Sequence, residues 1–96
     1  MQSKNKKAPT KAEKRHIERI KSMPCVICGT SSPSECHEIK QGQFFTSMPL
    51  CADCHRGSHN GIHGRKHIWN IKKLDELDAL ALTIESLLSE PSGVGF

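Results

Sequence analysis

Two Cys-x-x-Cys pairs and a run of histidines hold the side chains best suited to chemistry in this chain. The first pair is Cys25 and Cys28, in CVICG. The second is Cys51 and Cys54, which open CADCHRGSHNGIH at residues 51 to 63. His55, His59 and His63 follow at a spacing of four, and His37 lies between the two pairs in ECHEIK. Two such knuckles satisfy a tetrahedral zinc at Zn–S distances of about 2.3 Å, because the two-residue gap lets both sulfurs of a knuckle face one point. The 22 residues between Cys28 and Cys51 suffice for a hairpin that brings the knuckles together. The spacing therefore predicts a structural zinc on Cys25, Cys28, Cys51 and Cys54. A redox dithiol is the other use of the motif, but redox motifs do not usually come in facing pairs.

A zinc closed by four thiolates has no open position for substrate. Any chemistry then falls to the histidines. On a helix, His55 and His59 would point to one side, which is how a helix presents two nitrogen ligands to one cation. With His63 following and His37 brought close by the hairpin, the pattern predicts a second metal site beside the zinc.

The elements that must position these residues are short. Thr10 and Glu13 form a capping box that starts a helix over residues 11 to 22, ended by Pro24. Its apolar face is Ala12, Ile17, Ile20 and Met23, and His16 on it reads as exposed and uninvolved. CVICG is the first knuckle, with Gly29 just past the second thiol. Residues 35 to 40 and 43 to 50 read as two strands around Gln41-Gly42. A short helix is expected over residues 52 to 59, broken at Asn60-Gly61. The last element is helical: Leu74, Leu77, Leu80, Ala81, Ile84, Leu87 and Leu88 recur at three and four, with Asp75, Glu76, Asp78 and Glu85 outside, and it stops before Pro91. That stripe is expected to pack in the core, with a dimer seam as the other use. Trp69 and Ile71 are expected to join the core.

Ninety-six residues make one small domain, and such domains often need a metal or disulfide staple. Hydrophobic residues are 35% of the chain with four aromatics, so the core is thin and a structural role for the cysteines gains weight. The five cysteines, a polar and basic start and the lack of any long apolar run favour a cytoplasmic setting over a secreted disulfide knot or a membrane. Residues 1 to 23 carry eight Lys/Arg against two Glu, a net +6, whereas the remainder is net −2. Residues 1 to 9 are expected to be a disordered basic arm, residues 10 to 90 the folded domain and residues 91 to 96 a flexible tail. Lys4, Lys6 and Lys7 on the arm, with Lys11, Lys14 and Arg15 on the first helix, offer a polyanion such as DNA an electrostatic handle.

CVIC, ECHEIKQGQ and PLCADCHRGSHNGIH together resemble the HNH endonucleases. With KAEKRHIERIK upstream and GIHG downstream, the chain is most similar to the phage recombination-enhancement nucleases that depend on RecA, over roughly residues 10 to 85. The resemblance implies a small α+β fold: a ββα-metal core braced by the four-cysteine zinc and flanked by N- and C-terminal helices. It implies hydrolysis of DNA phosphodiester bonds, with DNA as partner and a RecA-type filament as a further partner of the narrower group. His37 would be the base, and His55, His59 and His63 would hold one catalytic cation, Mg, Mn or Zn. The chain departs from the pattern in two places. Many relatives carry two adjacent histidines, or Asp-His, where this chain has Cys36-His37-Glu38. Aligned on IKQGQ, His37 is a ligand and Glu38 the base; in the other register, Cys36 is the ligand and His37 the base. The latter is preferred because a histidine titrates near neutrality. Thr46 also stands where the family's middle asparagine would be, and both departures bear on whether cleavage is retained. Two rivals stand beside this reading. One is a non-catalytic zinc module that binds DNA or protein. The other is a zinc deaminase, disfavoured because His37 and Glu38 are adjacent and the His-x-Glu half of that signature is missing.

Overall fold

The computed structural model describes residues 8–89, so most of the expected arm and the whole tail lie outside the described residues. Within that range the chain is a small α+β unit with four helices and one two-stranded sheet: α1 (Lys11–Lys21), β1 (Glu35–Glu38), β2 (Ser47–Leu50), α2 (Ala52–Arg56), α3 (His67–Lys72) and α4 (Glu76–Ser89).

The capping box forms at the start of α1. Glu13 N–H donates to Thr10 Oγ1 (3.1 Å) and Thr10 N–H to Glu13 Oε1 (2.8 Å), which satisfies amides left free by the first turn. Burial falls only on the C-terminal half of the helix, where Ile20 and the following Met23 are enclosed; Ala12, expected on the apolar face, is exposed. His16 is not the bystander its position suggested. It is half-buried, lies 5.2 Å from the Phe45 ring between centroids, and has a buried Nε2.

β1 and β2 pair antiparallel, with Glu35 opposite Leu50, Cys36 opposite Pro49, His37 opposite Met48 and Glu38 opposite Ser47. The strands are shorter than the sequence suggested because residues 39 to 46 fold into tight turns, with Gly42 at φ +90° and Gln43 N–H donating to the Lys40 carbonyl (2.9 Å). Glycine takes that left-handed backbone without the steric cost a side chain would add. β2 is buried along its whole length, between α1, α2 and α4.

The core is small and includes two of the cysteines: Cys25, Ile27, Met48, Leu50, Cys54, Trp69 and Ala79. Trp69 is fully buried on α3, an element the sequence did not announce, and its indole N–H donates to the Cys54 carbonyl (3.0 Å). Ile71, expected in the core, is 65% exposed because it lies on the outer side of that short helix. On α4 the buried positions are Ala79 and Thr83, with Glu76, Leu80 and Leu87 half-buried beside them; Leu77 and Leu88 are each 70% exposed. The leucine stripe therefore packs through one edge only. Apolar residues cover too much of this helix for periodicity to set its rotation; of its residues, Ala79 joins the buried core with Met48 and Leu50 of β2.

Candidate metal centres

The first knuckle starts where α1 ends. Cys28 N–H points at Cys25 Sγ (3.5 Å), Gly29 turns the chain at φ +79°, and Val26 N–H donates to the Pro49 carbonyl (2.9 Å), which ties the knuckle to β2. The second knuckle begins at the end of β2. Cys51 caps α2, its Sγ accepting from Cys54 N–H (3.4 Å). The four sulfurs lie within 4.8 Å of one another, and those of Cys28 and Cys51 are 3.7 Å apart. Sulfurs held tetrahedrally at about 2.3 Å from one zinc stand about 3.8 Å apart, so the spacing fits. Cys25, Cys28, Cys51 and Cys54 could hold a structural zinc, as their spacing predicted. Burial pushes the Cys28 thiol up, but hydrogen bonding with Thr30, Cys51 and Cys25 more than offsets this and brings it to about 7. Burial pushes the Cys51 and Cys54 thiols up. Four such sulfurs packed together carry their negative charge comfortably only around a cation.

A second cluster joins β1 to α2 and the loop that follows it. His37, His55 and His63 each offer a ring nitrogen, all within 4.8 Å of one another. His37 Nδ1 and His55 Nε2 are 3.2 Å apart, close to the roughly 3.3 Å that separates nitrogens bound at 2.0–2.1 Å to a tetrahedral ion. These residues, with Cys36, Glu38 and Gln41, line an open recess of about 210 Å³.

Strand alternation aims His37 and Glu35 to one face of β1, and the first turns of α2 bring His55 against them. His55 Nδ1 donates to Glu35 Oε1 (2.7 Å), and Arg56 grips the same carboxylate through Nε (3.1 Å to each oxygen) and Nη2 (2.7 Å). The Arg56 guanidinium, with His55, holds the Glu35 carboxyl down at about 2 despite some burial. His37 is 6% exposed, and its Nε2 donates to Glu76 Oε2 on α4 (2.6 Å).

The third histidine differs from the one helical spacing favoured. α2 ends at Arg56, so the expected helix to residue 59 does not form and His59 does not share a face with His55. The chain from Gly57 to Gly64 doubles back on itself. A Cβ at Gly61 would meet the Gly57 carbonyl oxygen at 2.5 Å, and one at Gly64 would meet the same oxygen at 2.5 Å, so glycine is required where these stretches of backbone touch. The return lets Ile62 N–H donate to the Cys54 carbonyl (2.9 Å) and His63 N–H to the His55 carbonyl (3.3 Å), which sets His63 beside His55. His59 is left exposed outside the cluster, its ring 4.3 Å from that of His67 between centroids.

Lys11, Lys14 and Arg15 are exposed on α1, while Lys4, Lys6 and Lys7 lie outside the described residues. Among the described residues no helix is long and apolar enough to cross a membrane. Sequence reasoning misses two residues of the site, Glu35 and Glu76. Glu35 has a signal, two residues before His37 on a strand and so on its face, whereas Glu76 has none, lying 39 residues away on another element. No known family model, curated protein or solved structure matched this chain in the comparisons made.

Proposed function

We propose that the chain is a zinc-braced, metal-dependent nuclease of the HNH type that hydrolyses DNA phosphodiester bonds, with β1, β2 and α2 as its ββα-metal core. The observation that carries the reading is the convergence of His37, His55 and His63 beside a separate four-cysteine cluster. One set of ligands suits a closed structural site; the other offers three histidine ligands among the described residues and opens onto a recess.

In this reading His37, His55 and His63 hold a single divalent cation, Mg, Mn or Zn. A bound cation supplies charge stabilisation to the phosphoryl transition state and to the leaving 3′ oxygen. His37 has no nitrogen to spare for a base, since Nδ1 faces His55 and Nε2 is engaged by Glu76. The register in which His37 is a ligand is therefore the one we adopt, and the base becomes Glu38. Glu38 is among the residues lining the recess, its Oε1 accepts from Gly42 N–H (2.8 Å), and in this reading it would turn to take the proton of the attacking water. His59 has no part in the site. Lys11, Lys14 and Arg15, with the arm, bind the DNA backbone, and a RecA-type filament is a partner to include in assays.

The test is cleavage of supercoiled plasmid and of single-stranded DNA, with and without Mg²⁺ or Mn²⁺ and a recombinase filament. Glu38→Gln should leave metal and DNA binding intact while rate falls roughly 10²- to 10⁴-fold. His37→Ala should lose metal affinity together with activity. If His37→Ala is dead but binds metal normally, His37 is the base instead. If the wild type cuts no DNA form under any of these conditions, the non-catalytic zinc module is the better account.

A further inference from the structure

Two carboxylates at the histidine cluster are not ligands in the reading above. Glu35 accepts from His55 Nδ1 and Glu76 from His37 Nε2, each on the side of the ring that faces away from the other histidine. A neutral imidazole has one N–H and one lone pair, and an ionised carboxylate can only accept. The N–H of each ring is thereby kept on its carboxylate side, and the lone pair is forced onto the other nitrogen. For His37 that nitrogen is Nδ1 and for His55 it is Nε2, the two atoms that face each other at 3.2 Å. Two lone pairs aimed at one point repel unless a cation lies between them. The carboxylates therefore prepare both rings for a positive ion at that point.

We infer that Glu35 and Glu76 are positioning residues that fix which nitrogen each histidine gives to the cation: Nδ1 from His37 and Nε2 from His55. The inference rests on the metal site proposed above. The two carboxylates reach their places by different routes. Glu35 shares a strand face with His37 and is clamped by Arg56, so its orientation is set by the guanidinium as well as by His55. Glu76 belongs to the first turn of α4, on the same helix face as the buried Ala79 and Thr83. The rotation that buries those two small residues aims Glu76 at His37. The C-terminal helix is in this way part of the site rather than packing alone.

The test uses the full chain, labelled with ¹⁵N, carrying one equivalent of Zn²⁺ in the four-cysteine site. Imidazole ¹H–¹⁵N spectra at pH 8 identify the tautomers before and after a second equivalent of Zn²⁺. The expected result is N–H on His37 Nε2 and His55 Nδ1 at the start, with His37 Nδ1 and His55 Nε2 carrying the metal at the end. Glu76→Ala and Glu35→Ala should each weaken binding of the second zinc about 10- to 100-fold, with Glu76→Gln and Glu35→Gln between them and wild type. The first equivalent and Trp69 fluorescence should be unchanged. Should a variant fail to fold, the wild-type spectra decide alone. A second zinc bound through His37 Nε2 or His55 Nδ1, or at unchanged affinity in both folded alanine variants, overturns the inference and spares the metal site. A wild type whose histidines take no second zinc overturns both.

Discussion

Removing the metal from the four-cysteine cluster should unfold this protein. Two of the seven residues of the buried core, Cys25 and Cys54, belong to the cluster. Each also ties down a neighbouring element. The Cys25 knuckle is bonded to β2 through Val26, and the Cys54 carbonyl receives both the Trp69 indole N–H and the Ile62 amide. A structural zinc contributes about 10–16 kcal/mol to folding in small metal-dependent domains. The whole stability of a domain this size is roughly 5–15 kcal/mol, so the metal outweighs whatever reserve the thin core supplies. Chelation, or Cys51→Ser, should therefore abolish the cooperative transition rather than lower its midpoint. Trp69 is the sole tryptophan and sits against the site, so its fluorescence reports the event directly, alongside circular dichroism and metal content. Cys36→Ser is the control, since Cys36 lies outside the cluster and should leave zinc content unchanged. A zinc-free Cys51→Ser protein that still melts cooperatively would refute the reasoning.

Burial predicts a contrast measurable by urea unfolding: Leu77→Gln, on the exposed side of α4, should cost no more than about 0.5 kcal/mol, whereas Trp69→Ala, in the core on α3, should cost about 3–5 kcal/mol. His16 should give stability a pH dependence. Burial, with Arg19 nearby, holds its folded pKa below the ordinary 6.5, so its contribution is complete above that value and is lost as pH falls below it. His16→Leu should flatten that part of the stability curve, and an unchanged curve would count against the burial argument. Deleting residues 1 to 9 removes Lys4, Lys6 and Lys7, so the slope of log affinity for duplex DNA against log salt should flatten by up to about 3, with folding little changed. An unaltered slope would remove the arm from the DNA contact.

Sequence reveals most where ligand geometry is local. Two residues between cysteines fix how a knuckle points, and the two knuckles do come together. The Thr10–Glu13 box forms for the same reason, since both partners lie within one turn. The choice between His59 and His63 is illegible to helical spacing because backbone contact among Gly57, Gly61 and Gly64 decides it. Those three glycines are visible and warn against a long helix, but do not say where the returning chain goes. Periodicity sets Glu76 among the outward-facing acids of α4, because nothing in the pattern distinguishes an acid facing solvent from one facing His37. The aliphatic residues of α4 cover so much of the helix that Leu77 and Leu80 look alike in sequence, while packing separates them.

The central claim is that His37, His55 and His63 hold the cation that drives phosphodiester hydrolysis. The most direct measurement is the Mn²⁺ dependence of DNA cleavage in wild type, His63→Ala and His59→Ala, since only the folded geometry distinguishes those two histidines. The account predicts metal-dependent cleavage by wild type, a His63→Ala protein that needs far more Mn²⁺, and a His59→Ala protein indistinguishable from wild type. Loss at His59 with His63 dispensable, or no metal-dependent cleavage by wild type, would contradict it.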